Sequence, residues 1–474
     1  MKKYFTLPLV LLLVSLSVVS QTAIQQFINN PALRHASVGV QVVDLVSGQS
    51  VVSNDSQKSL TPASITKIIT TATALELLGE NYRFETVVAV DANNPNRIIV
   101  IGSGDPTLGS SNIDVNPNSF FINVASAAKK ILDPQKEYEI VVIDDLYGYE
   151  GISPEWTWID MGNYYAAASY GISVFDNSYK LFFDTTNPNV APRIIRTEPN
   201  MNDLKFLNFL TLNTSGADNG YLYGAPFSNE RTIRGNIPSG RREFSIKGDI
   251  PDPGLLLGNT LTEYLQNSGL KIGMVKTVRE DLLSGKKNNY TVGTRLHTHK
   301  SPILSEIVRE VNVTSNNHFA EHLIRLIGST TNDTNTKDAL SNGIDAIKKF
   351  WSQKGISASS LTLLDGSGLA PQNAFSSHFL TEILTYMYNS SVHSQAFLNS
   401  LPKAGREGTL RSFLKNTKYE GKIIAKSGSI GGVHCYSGYL IDGQKQYAFT
   451  VMVNKFNGTR PQVRSAIEKF ILSL

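Results

Sequence analysis

The sequence predicts an α+β fold built as one split domain with a large β-rich insertion. Three observations carry this. A hairpin pattern and a long helix open the chain, and helices followed by an antiparallel sheet pattern close it. Between them, from about 80 to 295, lies sequence of a different texture. The chain of 474 residues is also too long for one ordinary core.

In chain order, Met1-Lys-Lys and the apolar run to Ser20 read as a secretory signal, with Val18 and Ser20 at the −3 and −1 positions of a cleavage site. The alternative, an uncleaved anchor, fits less well because the run is short for a span. No cysteine follows it, which argues against a lipoprotein. Residues 37–53 alternate as a hairpin turning at Val46-Ser47-Gly48. Thr61 is the expected N-cap of the next helix, Pro62 its first residue and Gly79 its stop. Apolar residues at Ile68, Ile69, Ala72, Leu75 and Leu78 recur at helical spacing over most of its surface, so it should be buried.

The middle segment reads as strands 85–90 and 97–102, a helix at 118–131 and a strand at 137–143. An aromatic and glycine-rich stretch spans 147–170. Short strands with Asn/Pro/Gly turns follow to about 250, then a helix at 255–268. From about 295 the expected helices are 302–312, 318–327, 337–354, 376–389 and 407–416. Strands 421–429, 433–441 and 447–454 come next, the last two joined by Asp442-Gly443. A helix packed on the sheet ends the chain at 461–474.

Composition narrows function. Hydrophobic content of 41% with 18% charged residues is that of a globular protein, and a formal charge of +4 without a basic stripe leaves no nucleic-acid footprint. The single cysteine, Cys435, permits no internal disulfide and sits in an alternating run as a buried small hydrophobe. Oligomeric state is not legible.

Chemistry starts at Ser64-Ile-Thr-Lys67. Residues three apart share a helix face, so the hydroxyl and the amine can touch, as nucleophile and base. A capping serine beside a solvated lysine is the alternative. The pattern recurs at Ser126/Lys129, Ser284/Lys287, Ser400/Lys403 and Ser412/Lys415, so it decides nothing alone. Two further motifs lie downstream: Ser315-Asn316-Asn317 between helices, and Lys426-Ser427-Gly428, followed by Ser429, ending a strand. S-x-x-K, S-x-N and K-[ST]-G in that order are a catalytic signature. Lys67 can accept the Ser64 proton only if neutral, and burial with Lys426 nearby would favour that. Ser315 can pass a proton to the leaving amine, and Asn317 can hold the substrate backbone. Lys426 and Ser427 can bind a terminal carboxylate. Gly428 leaves room for the substrate along the strand edge. The N–H groups of Ser64 and Ser429 can form an oxyanion hole.

On these motifs the chain resembles the class C low-molecular-mass penicillin-binding proteins, serine D-alanyl-D-alanine carboxypeptidase/endopeptidases. The resemblance spans nearly the whole mature chain. It includes Gly104-Asp105-Pro106-Thr107-Leu108, Trp156-Thr-Trp-Ile-Asp-Met161 and Asp365-Gly-Ser-Gly-Leu369. It implies a penicillin-binding/β-lactamase-like transpeptidase domain over 21–80 plus 296–474, with insertion domains at 81–165 plus 245–295 and at 166–244. It also implies that Asp160 binds the amino group of a diaminopimelate side chain. The implied partners are peptidoglycan stem peptides as substrates and β-lactams as acylating inhibitors, in the periplasm or cell envelope, with no cofactor or metal. A peripheral contact with the membrane is left open. Two departures stand out. Ser427 replaces the commoner threonine, and Ala370-Pro-Gln-Asn373 lacks the basic residue relatives often carry there.

Two rival functions remain. His318-Phe-Ala-Glu-His322 matches an inverted zinc-peptidase signature, but no third ligand is evident, and His297 and His299 are expected on a solvated loop. A non-catalytic cell-wall binding protein would not need the complete set of nucleophile, base and carboxylate anchor.

Overall fold

The computed structural model describes residues 22–286, 289–330, 338–443 and 445–474. The signal-like segment lies outside the described residues. The chain forms two compact units, one of residues up to Asn81 with Leu304–Asn316 and Ile344–Leu474, the other of Tyr82–Ile303 and Asn317–Gly343.

The first unit is organised on a five-stranded antiparallel sheet. Its order is Ile423–Ile430, Val433–Asp442, Lys445–Asn454, Ser37–Asp44, Ser50–Asn54. The opening strand therefore pairs with the closing one, Val40 opposite Val451. Alternation drives this pairing: Val40, Val42, Phe449, Val451 and Val453 are buried and pack with Ile467 and Phe470 of the helix Arg460–Ser473. That helix starts with a capping box at Thr459 and Gln462. Asp442 faces Lys445 across the expected tight turn, with Gly443 at φ 57°. Cys435 is buried, and burial pushes its thiol up to about 12.

Two expectations in this unit fail. Thr61 caps nothing. Its N–H donates to Asn454 Oδ1 at 2.8 Å and its hydroxyl to Pro371 O at 3.2 Å. The helix instead begins with the 3₁₀ turn Ala63–Ile65 and runs on as Thr66–Leu78. Residues 407–416 are not a helix but a short 3₁₀ turn, Gly408–Leu410, followed by further turns. Positive φ at Gly408, Leu414 and Asn416 breaks the helical path.

The second unit holds a five-stranded mixed sheet, ordered Lys271–Thr277, Glu137–Ile143, Asn94–Ile101, Glu85–Asp91, Val292–Lys300. The first three strands run parallel and the last two pair antiparallel. Helices Ser119–Ile131 and Pro253–Asn267 cover it through Phe121, Val124, Leu257 and Leu261. His297 and His299 lie within Val292–Lys300, half-buried, and not on the expected solvated loop. A smaller β module follows, with sheets built on Ser178–Asp184 and on Glu230–Pro238 around Leu181, Phe183, Leu222 and Ile233. Strand Phe244–Asp249 pairs with Ser178–Asp184 and so is part of that module. No helix among the described residues is long and apolar enough to cross a membrane.

Candidate active site

The nucleophile turn comes first. Ala63 has φ 50°, which places Ser64 on a tight turn at the mouth of the helix. One turn on, the Lys67 amine donates to Ser64 Oγ at 3.1 Å and to the Ser367 carbonyl at 2.7 Å. Lys67 has no exposed surface while Ser64 is partly exposed, so the hydroxyl is the accessible member. The helix behind them is buried from Thr66 to Leu75 despite four threonines. Each hydroxyl is satisfied: Thr66, Thr71 and Thr73 bond back to carbonyls of their own turn, and Thr70 donates to Gly366 O at 2.7 Å.

Ser315 follows the helix Leu304–Thr314 and has φ 64°. Its hydroxyl accepts from the Lys426 amine at 2.8 Å, which also donates to Ser427 O at 2.8 Å. Burial, and next the facing charge of Lys67, hold Lys426 well below the usual lysine range. The two amines face each other, and the charge on Lys67 adds to burial in disfavouring a proton on Lys426. Gly428 explains itself geometrically. A Cβ there would lie 2.5 Å from Pro62 O and 3.1 Å from Ser64 N, so only glycine lets the strand press on the nucleophile turn. Ser427 Oγ donates to Thr409 Oγ1 at 2.9 Å, and Ser429 is exposed at the strand end.

Ser64, Lys67, Ser315, Lys426, Ser427, Gly428 and Ser429 thus belong to one unit and one neighbourhood. Asn317 and Asp160 belong to the second unit. Asn317 donates through Nδ2 to Tyr165 O at 2.8 Å, and Asp160 accepts from the Thr157 hydroxyl at 2.5 Å.

Sequence reasoning missed two members. Thr409 carries no motif. Ser367 takes part through its carbonyl, and the sign of it was the Asp365-Gly-Ser-Gly run. Asp365 is buried and accepts from Gly368 N and Ala370 N at 2.7 Å each and from Asn373 Nδ2 at 2.8 Å. It fixes the loop that offers the Ser367 carbonyl to Lys67. Asp365→Ala strands two buried N–H groups, so unfolding stability is expected to fall by about 3 kcal/mol. Penicillin acylation should slow as well, because Lys67 loses its second tether. A thermal melt and an acylation time course check this, and a loop reporting on stability alone would leave acylation unchanged in the folded fraction.

The zinc reading finds no support in the residues: among the described residues no three His, Cys, Asp or Glu side chains are placed to share a metal ion. His318 Nε2 lies 2.7 Å from Ser173 Oγ and His322 Nδ1 lies 2.8 Å from Gly104 O. Burial pushes His318 down to about 3 and His322 well below its usual range. Glu321 pairs with Arg325 at 2.9 Å, both without exposed side chain. The three residues are packing elements of a buried helix.

Known proteins resemble this chain over nearly its whole described length. The profile of the D-Ala-D-Ala carboxypeptidase 3 (S13) family matches residues 20–473. A D-alanyl-D-alanine carboxypeptidase of Actinomadura sp. (strain R39) is 29% identical over 459 residues, covering 92% of this chain and 81% of the relative. In fold, the chain is similar to the crystal structure of penicillin binding protein 4 (dacB) from Haemophilus influenzae. The TM-score is 0.75 at 18% identity, over 96% of this chain and 97% of that one. The same protein complexed with a β-lactam gives a TM-score of 0.72, over 96% and 98% of the two chains.

Proposed function

Because the chain belongs to the D-Ala-D-Ala carboxypeptidase 3 (S13) family, we propose that it is a serine D-Ala-D-Ala carboxypeptidase acting on peptidoglycan stem peptides. The observation that carries the reading is the pairing of Ser64 with Lys67 and of Ser315 with Lys426 around one strand end.

The steps follow from the donors and acceptors. Ser64 Oγ adds to the carbonyl carbon of the penultimate D-alanine while its proton passes to the Lys67 amine. The N–H groups of Ser64 and Ser429 hold the developing oxyanion. The carbon–nitrogen bond breaks, and the Ser315 hydroxyl relays a proton from the lysine pair to the leaving amine. Water then releases the acyl group from Ser64. Lys426 and Ser427 hold the terminal carboxylate, Asn317 the substrate backbone, and Asp160 the amino group of a diaminopimelate side chain. A D-Ala–diaminopimelate cross-link presents the same bond, so endopeptidase cleavage is part of this reading. β-Lactams acylate Ser64 and leave slowly. Cleavage of the signal-like segment would put the enzyme in the periplasm or cell envelope.

The test is mass spectrometry after incubation with labelled penicillin. The adduct is expected on the peptide containing Ser64. An adduct on another residue, or none in folded protein, overturns the assignment.

A further inference from the structure

A cavity of about 540 Å³, walled in part by Pro461 and the ring of Tyr436, opens beside the end of strand Ile423–Ile430. Thr409, Ser427, Ser429, His434, Arg460 and Arg464 line it, all within the first unit. Ser427 and Ser429 alternate with Lys426 and Gly428, so their side chains share the strand face that meets the cavity. The Ser427 hydroxyl is already spent on Thr409 Oγ1, so an anion entering here would have to be met by the guanidiniums.

The two arginines are not equally available. Arg464 donates through Nε to Glu468 Oε1 at 3.1 Å, through Nη1 to Ser412 Oγ at 2.9 Å and through Nη2 to Ser412 O. Glu468 stands in the same wall and cancels its charge. Arg460, exposed in the first turn of the last helix, makes none of the ion pairs among the described residues. His434 adds no charge at neutral pH, because burial and the two guanidiniums hold its imidazole down to about 4. The unbalanced charge of the wall is therefore that of Arg460.

The side of the reaction on which the cavity lies follows from the chemistry. The carboxylate assigned to Ser427 is borne by the same carbon as the leaving nitrogen. Ser427 lines the cavity, so the cavity extends the leaving side. One D-alanine is far too small to fill it.

We infer that this cavity is a leaving-side subsite for an acidic peptide, and that Arg460 selects such substrates by pairing with a carboxylate beyond the scissile residue. The inference rests on the acyl-enzyme reaction at Ser64. The bonds that form and break are unchanged: Ser64 Oγ bonds to the acyl carbon, the carbon–nitrogen bond breaks, and the relayed proton goes to the amine of the departing peptide. Water remains the only co-reactant.

The test uses the full chain with Arg460→Ala and Arg460→Lys. Two substrates are compared: a monomeric pentapeptide that releases D-alanine, and a cross-linked dimer whose leaving peptide carries free carboxylates. The ratio of kcat/KM for the dimer to that for the monomer should fall about tenfold in Arg460→Ala, through KM, and Lys should restore most of it. Added salt should narrow the gap between parent and Arg460→Ala. An unchanged ratio, or a fall in kcat instead of KM, overturns the subsite. Parent protein that labels with penicillin and releases D-alanine but leaves the dimer intact also overturns the subsite, with the reaction at Ser64 still standing. Failure of both penicillin labelling and D-alanine release would overturn the reaction itself.

Discussion

Ser64→Ala is expected to abolish penicillin labelling and to lower D-alanine release by about 10⁴-fold or more, as loss of a catalytic nucleophile does elsewhere. The change removes one oxygen from a partly exposed side chain in a 3₁₀ turn. Lys67 keeps its bond to the Ser367 carbonyl, so the amine stays in place. The melting temperature should consequently hold. Intact-protein mass after penicillin treatment and an assay of released D-alanine read the two losses. Persistence of either in purified variant would reject Ser64 as the nucleophile.

Lys426→Met is the second large effect, and it separates function from stability. The buried ammonium faces Lys67, and both burial and that charge disfavour its proton. A lysine whose folded pKa lies below its unfolded value near 10.5 weakens the fold as pH drops from that value towards the folded one. At neutral pH the protonated form therefore costs stability. Methionine fills a similar volume without charge, so the melting temperature at pH 7 is expected to hold or rise, and to gain less at pH 11. Activity moves the other way. Losing the cation assigned to the terminal carboxylate should lower kcat/KM on peptides with a free carboxylate by about 10²-fold. Esters lacking that group should suffer much less. An equal loss on both substrates would remove Lys426 from carboxylate binding.

What could be read from residues alone was local and periodic. Spacing of three placed the Lys67 amine on the Ser64 hydroxyl because a helix face repeats at that interval. Alternation found the strands Ser37–Asp44 and Lys445–Asn454, and Asp442-Gly443 gave the turn between the last two strands. Pairings that depend on distant chain were not legible. Nothing in Thr61 announces that Asn454 will take both its N–H and its carbonyl, displacing the expected cap. Apolar periodicity over 407–416 could not reveal the positive φ angles that break it. The parallel register of Asn94–Ile101 with Glu137–Ile143 likewise has no local mark. In the site, side-chain chemistry was visible in the motifs, whereas the Ser367 carbonyl and the Asp365 brace act through the backbone, which every residue shares.

The place of Ser37–Asp44 between the second strand and the last one has a consequence for biosynthesis. Thr61 and its partner Asn454 are 393 positions apart, about 20–80 s of translation at typical rates. During that interval the reactive hydroxyl already exists, while the cationic strand end that would hold a substrate does not. A chain that ends before Ile423–Ile430 therefore carries the Ser64 hydroxyl without the strand that presses on its turn.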